Sequence, residues 1–284
     1  MHLLDLPHEL LSLIVDFMDC KTLLSLCLTE KHILYGIAHR LLQQTVTVVF
    51  NATTQKYSPN IFSFDFRRLS AITSLSIHIT GPFDFHLASA SFPPVFTSMI
   101  NIKHVHVSGG SGPFIRMILE NTMASLVTLE LNGCSADPQD FSEMMPITIR
   151  KLCISRCDPN VRFLLGPLSV EELEVHGLGM DGECMCIGVT LRRLTDAHLN
   201  TLKRICLVNI CRDAGCRDVL HLMRVLETRS DSFSSLKGLV LDFPLPEDII
   251  PKLIKAMSAF PVLKVFRIVS CTFEDGGASK VLPF

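Results

Sequence analysis

The chain contains no tryptophan and only two tyrosines, Tyr35 and Tyr57, so it has few of the Trp and Tyr rings on which nucleic-acid bases stack. It also lacks a basic excess, because 26 Lys and Arg residues stand against 28 Asp and Glu residues, for a formal net charge of −2. Proteins that bind nucleic acid normally carry a basic patch that contacts the phosphates. The composition therefore argues against a nucleic-acid partner.

Long apolar runs and targeting signals are also missing. No stretch approaches the roughly 18 uninterrupted apolar residues of a transmembrane helix. The first residues lack the basic region, apolar stretch and small-residue cleavage site of a secretory signal. The 11 cysteines are an odd number, which excludes complete internal disulfide pairing. We therefore expect no membrane association and a reducing location, cytoplasmic or nuclear.

Familiar catalytic signatures are absent from the sequence. There is no Gly-x-Ser-x-Gly turn and no His-Glu-x-x-His helix. The Gly-Gly-Ser-Gly segment at 109–112 lacks the Lys-Ser/Thr ending of a phosphate-binding loop and follows a predicted strand, so it predicts a turn. We expect no catalytic residues, no cofactor and no enzymatic activity of the chain itself.

The cysteines invite a test for a metal site. A zinc finger uses two pairs of ligands at characteristic spacing, whereas Cys184 and Cys186 are separated by one residue and lack such a second pair. The spacing therefore predicts free thiols and no metal. The cysteines concerned are Cys153, Cys157, Cys184, Cys186, Cys206, Cys211 and Cys216.

The beginning of the chain predicts a short amphipathic helix. Pro7 suits the first turn of a helix, where its missing N–H has no intrahelical partner, and Glu9 complements the positive helix end. Apolar residues then recur at three- and four-residue spacing, and a second Leu-rich run follows at 23–28. This broad apolar face belongs to an element too short to bury it alone.

Residues 6–28 resemble the F-box motif, which has the form Leu-Pro-x-Glu-Leu-Leu, then Ile, then a Leu-rich second helix. The segment that follows, 29–35, has no Trp where many members of the family carry one. The resemblance implies a docking site for the Skp adaptor of SCF ubiquitin ligases, and through it for a cullin. The matching positions are Leu6, Pro7, Leu10, Leu11, Ile14 and Met18.

A recurring Leu-x-x-Leu-x-Leu-x-x-(Cys/Asn) pattern fills the rest of the chain, and its clearest copy is at 126–134. This pattern is the strand segment of a leucine-rich repeat. Cys134, Cys157 and Cys271 stand at its Cys/Asn position, where a buried thiol is expected. The second apolar positions of the copies are Leu75, Val105, Leu129, Leu152, Leu173, Ile205, Leu239 and Phe266.

The longer intervals between copies have room for helices, which helix-spaced apolar residues predict at 114–123, 218–227 and 247–260. Asp137-Pro138 and Leu245-Pro246-Glu247 have the chemistry of helix starts. Alternation at 45–50 predicts a joining strand, and polar 51–63 with Pro59 predicts a loop. We therefore predict an α/β fold, in which an F-box-like helical module over 1–45 precedes a curved leucine-rich-repeat solenoid over 46–284. The solenoid has about eight irregular repeats, the last of them atypical or capped.

The repeat register also predicts which side chains project from the concave face of the sheet, since neighbours of the inward positions alternate outward. Several are histidines and glutamates, and a His beside a carboxylate is more easily protonated, which suits a basic or pH-sensitive target. An ordinary solvated sheet face shows the same alternation. The main candidates are His104, His106, Glu130, Glu172, Glu174 and His176; His78, Asn132, Lys151, Arg204, Asp242 and Arg267 share the face.

Together these features predict the substrate-recognition subunit of an SCF-type ubiquitin ligase, which binds a target protein on its repeats. One alternative is a leucine-rich-repeat scaffold of the ribonuclease-inhibitor kind, whose helical start is only an N-terminal cap. The other, ranked last, is a metal-dependent or thiol enzyme.

Overall fold

A computed structural model describes residues 44–51, 56–58, 60–81, 92–176, 187–208, 215–242, 249–258 and 262–268, with positions 22, 25, 245 and 260. In this part of the chain, ten strands form one sheet. Strands β3 to β10 lie side by side in chain order, and each pairs in parallel with the next. At the other end β1 pairs in parallel with β3, and β2 adds an antiparallel strand to β1. The strands are β1 Thr45–Asn51, β2 Lys56–Ser58, β3 Ser74–Thr80, β4 His104–Ser108, β5 Thr128–Asn132, β6 Ile147–Ser155, β7 Leu168–His176, β8 Arg204–Val208, β9 Gly238–Asp242 and β10 Val265–Ile268.

The strands are in the register that the recurring pattern predicts. Leu129 of β5 pairs with Val105 on one side and Leu152 on the other, and the same row continues from Leu75 to Phe266. Leu129 and Leu152 are both fully buried. All eight predicted positions therefore face one continuous hydrophobic core, and this prediction is confirmed.

A backbone contact that recurs at β4, β5, β6, β9 and β10 also joins neighbouring units. The Lys103 carbonyl accepts hydrogen bonds from the N–H groups of both Val127 and Thr128, at 2.8 and 2.9 Å. The carbonyls of Thr73, Val127, Lys203 and Lys237 accept two N–H groups from the next unit in the same way. This repetition fixes the register between successive strands independently of their side chains.

Helices connect most strands and bury their apolar residues in the same core as one face of the sheet. The three predicted long helices are confirmed as α3, α6 and α7. A short 3-10 helix takes the place of an α-helix between β5 and β6 and between β6 and β7, and another, Ser230–Phe233, follows the α-helix Gly215–Thr228 before β9. The α-helices are α1 Phe66–Ala71, α2 Phe92–Ser98, α3 Gly112–Thr122, α4 Ile187–Arg193, α5 Asp196–Thr201, α6 Gly215–Thr228 and α7 Ile249–Met257.

The predicted strand at 45–50 is confirmed as β1, but the loop predicted over 51–63 is wrong in part. This interval contains β2 and a 3-10 helix, Ile61–Ser63. Strand β2 forms because β1 would otherwise leave unpaired backbone groups at the edge of the sheet. The helix start at Asp137-Pro138 leads only to a 3-10 helix, Pro138–Phe141, in which the Asp140 carboxylate accepts from the Asp137 N–H.

Several predictions concern segments outside the described residues. These are the F-box-like helices with all six adaptor-facing positions, the segment 246–248, and the end of the chain at 269–284. Within the described residues, no helix is long and apolar enough to cross a membrane.

Candidate protein-binding surface

The sheet face opposite the core carries three parallel rows of mostly polar side chains, because residues on alternate positions of each strand point away from the core. We call these three rows the polar sheet face. The first row is Ser74, His104, Thr128, Lys151, Glu172 and Arg204; the second is Ser76, His106, Glu130, Cys153, Glu174 and Cys206; the third is His78, Ser108, Asn132, Ser155, His176 and Val208.

At one end of this face, two histidines and a carboxylate lie in contact. The rings of His78 and His106 have centroids 5.4 Å apart. His106 Nδ1 lies 3.4 Å from Glu130 Oε2 on the next strand. Burial, together with the neighbouring His106, lowers the pKa of His78. His78 is therefore neutral at physiological pH, whereas His106 faces a negative partner.

In the middle of the face, Glu174 accepts one bond on each carboxylate oxygen. Lys151 Nζ lies 2.7 Å from its Oε2, and His176 Nε2 lies 2.5 Å from its Oε1. Partial burial would raise the pKa of Glu174, but the bonds from Lys151 and His176 outweigh it and lower that pKa. Glu174 is therefore ionised and held in one orientation.

The two remaining main candidates, His104 and Glu172, occupy the first row. Glu172 Oε1 lies 3.5 Å from Arg150 Nε, and the backbone of Glu172 pairs with Lys151 on one side and Arg204 on the other. His104 is exposed. The structure thus brings Glu174 and His176 together and His106 and Glu130 together, while His104 and Glu172 lie in the neighbouring row of the same face.

Two open grooves run over the polar sheet face. The larger, of about 530 Å³, includes His106, Glu130, Cys153, Arg156 and His176 in its lining. The smaller, of about 370 Å³, shares His106 and Glu130 with it and extends to His78 and His104. The two grooves therefore meet at His106 and Glu130, which line both of them.

Arg156 enters this groove from a left-handed backbone position. Three successive strands end in an equivalent turn, in which Gly109, Gly133 and Arg156 have φ of 75°, 57° and 52°. Each donates its N–H to the last carbonyl of the next strand. A side chain at such a position costs about 1–2 kcal/mol relative to ordinary backbone, so Arg156 is retained against a conformational penalty. The sequence patterns did not predict a role for Arg156. Aligning the repeats would have shown that Arg156 stands where the two preceding repeats have Gly109 and Gly133.

Behind the turns, Cys134 and Cys157 occupy the buried positions that the repeat pattern predicts. The Cys134 N–H donates to Cys157 Sγ at 3.3 Å, and the Cys157 thiol donates to the Ser155 carbonyl at 3.3 Å. The hydrogen bond with Cys134 and burial raise the pKa of Cys157. These two cysteines are structural thiols that satisfy turn backbone groups; Cys271 lies outside the described residues.

The glycine-rich segment after β4 is a turn, as predicted. A Cβ at Gly112 would lie 2.0 Å from Asp140 Oδ2, so a carboxylate already fills the space at the start of α3. No room is left there for a bound phosphate.

No family model and no curated protein matches this chain. Its function is therefore inferred from its own residues and their geometry.

One group on the polar sheet face is not visible from cysteine spacing. Cys153, Glu174 and His176 offer a sulfur, an oxygen and a nitrogen that all lie within 4.8 Å of one another. Cys153 and Glu174 are paired across β6 and β7, and His176 follows on the same face of β7. Only the strand register brings them together, since they belong to separate segments of the sequence.

Proposed function

We propose that residues 46–284 form an irregular leucine-rich-repeat solenoid that binds a target protein on its polar sheet face, and that residues 1–45 dock it to the Skp adaptor of an SCF-type ubiquitin ligase. The protein is then a non-catalytic substrate-recognition subunit. It holds the target where a ubiquitin-charged enzyme of the complex reaches a lysine, which raises effective concentration without supplying a nucleophile.

The observation that carries the target-binding half is the polar sheet face itself. Charged groups such as Glu130, Arg156 and His176 line the larger groove rather than projecting singly into solvent, and Glu174 holds His176 in place through their hydrogen bond. Ordered, half-buried charges provide specific hydrogen bonds to a partner at a lower entropic cost than mobile surface side chains. A target with exposed basic or amide groups fits the Glu130 and Glu174 carboxylates.

The adaptor-docking half depends on the sequence of residues 6–28. Its helix-spaced apolar face needs a partner surface, and apolar anchors of this kind dominate helix-in-groove interfaces. Leu10 and Ile14 lie one turn apart on that face.

The adaptor assignment is tested with the Leu10→Asp, Ile14→Asp double variant of the intact chain. We expect the double variant to lose capture of recombinant Skp adaptor, while retaining cellular partners that bind the repeats. Adaptor capture at the wild-type level would contradict the F-box assignment and favour the free-standing scaffold.

The target surface is tested by a second variant, Glu172→Gln with Glu174→Gln. Charge reversal is less suitable, because a lysine at 172 would lie between Lys151 and Arg204 and add repulsion within the sheet. The matched control is Glu120→Gln, which removes an ion-paired glutamate from helix α3, with Arg116 Nε at 2.7 Å from it. Loss of a partner in the double variant alone supports the proposal, whereas retention of every partner assigns this face to solvent.

A further inference from the structure

The Cys153, Glu174 and His176 cluster has the chemistry of a metal site, and two of its members, Glu174 and His176, also belong to the surface proposed to bind the target. Its three donors are a thiol sulfur, a carboxylate oxygen and an imidazole nitrogen, within 4.8 Å of one another. In a tetrahedral zinc site with bonds of about 2.0–2.3 Å, the ligand atoms lie about 3.3–3.8 Å apart. Side-chain shifts of about 1 Å therefore bring the cluster to coordination geometry.

The two oxygens of Glu174 are already assigned different partners. Lys151 holds Oε2 at 2.7 Å, while Oε1 faces His176 at 2.5 Å. A cation bound by Oε1 and His176 Nε2 takes the place of the hydrogen bond between them, the imidazole proton moves to Nδ1, and the Lys151 contact stays in place. Lys151 then orients the metal-binding carboxylate, as outer-shell partners do in protein metal sites.

The donor set also selects the class of cation. A thiolate and an imidazole favour borderline or soft ions such as Zn²⁺ over Mg²⁺ and Ca²⁺, which prefer oxygen ligands. One thiolate, one carboxylate and one neutral imidazole balance the charge of a divalent ion. Cys153 and His176 line the groove of about 530 Å³, which leaves room for water at a fourth position.

We propose that Cys153, Glu174 and His176 bind one Zn²⁺ ion on the polar sheet face. Binding releases the thiol proton of Cys153. Glu174 binds as the carboxylate, and His176 binds through Nε2 in the neutral tautomer that carries its proton on Nδ1. Burial, with a smaller effect of the Glu174 and Glu130 carboxylates, raises the pKa of the free Cys153 thiol to about 11. A bound cation removes that penalty, because a coordinating thiol is deprotonated by the metal.

The experiment titrates the metal-free, intact chain with Co²⁺, which reports a thiolate ligand by its near-ultraviolet charge-transfer band, and then displaces the Co²⁺ with Zn²⁺. We expect one equivalent of Co²⁺ with a thiolate band, its full displacement by Zn²⁺, and no displacement by equimolar Mg²⁺ or Ca²⁺. Cys153→Ser should abolish the band, and His176→Gln or Glu174→Gln should weaken affinity at least about 100-fold, the upper end of the loss for outer-shell changes.

The matched control is Cys206→Ser. Cys206 lies on the other side of Glu174 in the same row, is half-buried, and has a pKa that burial and Glu174 raise. It lies outside the cluster, so Cys206→Ser should bind Co²⁺ as the wild type does. Absence of stoichiometric binding, an unchanged band in Cys153→Ser, or equal loss in Cys206→Ser would overturn the proposal. Melting temperatures in chelator separate folding defects from ligand loss, and the Glu174→Gln variant provides the test if Cys153→Ser does not fold.

Discussion

The aligned turns at the ends of β4 and β5 give a quantitative test of the fold. Gly109 and Gly133 both have left-handed backbone, so replacement by alanine carries the same conformational cost of about 1–2 kcal/mol. Alanine also restricts the unfolded chain, which returns about 0.4–1 kcal/mol. A Cβ at Gly133 has no heavy atom within 4 Å, so Gly133→Ala should lose only about 0.5–1 kcal/mol.

Gly109→Ala should be clearly worse, because its Cβ would lie 2.5 Å from the backbone carbonyl oxygen of Ile79. That oxygen belongs to strand β3 and is not the end of a flexible side chain, so relief requires the strands to move, at a further cost of about 1–3 kcal/mol. Urea denaturation of both variants, followed by circular dichroism, measures the difference. Equal losses, or a larger loss at Gly133, would show that the turns are not packed as described.

Three further outcomes are expected. Arg156→Gly should raise the free energy of unfolding by up to about 1 kcal/mol by relieving the left-handed backbone, while weakening partners that use the groove, as urea denaturation and pull-down would show. Leu129→Asp should cost at least about 4 kcal/mol, because it places a charge in the fully buried core, and an unchanged melting temperature would refute the register. The pKa of Glu174 is lowered by Lys151 and His176 against the effect of burial, so its contribution to stability is present at neutral pH and is lost as pH falls through its folded-state pKa. The melting-temperature difference between wild type and Glu174→Gln should therefore shrink on acidification, and a difference that grows would contradict this sign.

The sequence predicted the strands and their faces because burial in a strand has a period of two and the same apolar pattern recurs along the chain. Leu129 and Leu173 needed no knowledge of the turns between them. Strand β2 was missed because its three residues, Lys-Tyr-Ser, are too few to show that period and because its conformation depends on the exposed edge of β1. The local pattern carries no information about such an edge.

The polar sheet face was predicted as a set of residues but not as a set of contacts. Alternation assigns Glu174 and His176 to one side of the sheet, yet the division of the Glu174 oxygens between Lys151 and His176 depends on rotamers and strand spacing. The spacing of cysteines in the sequence relates Cys153 only to other cysteines. Its neighbours in space, Glu174 and His176, follow only once β6 and β7 are aligned.

The repeated backbone contact between neighbouring units holds the strands in register, so each side chain of the polar sheet face has a position set by its strand and its row. Because the Lys103, Val127 and Lys203 carbonyls make these contacts through the backbone, the position of an outward side chain does not depend on its chemical identity. A substitution of one outward residue therefore affects that residue and its immediate neighbours, and the free-energy effects of distant substitutions add. The binding specificity of such a surface can change by one outward substitution at a time, while the fold beneath it stays the same.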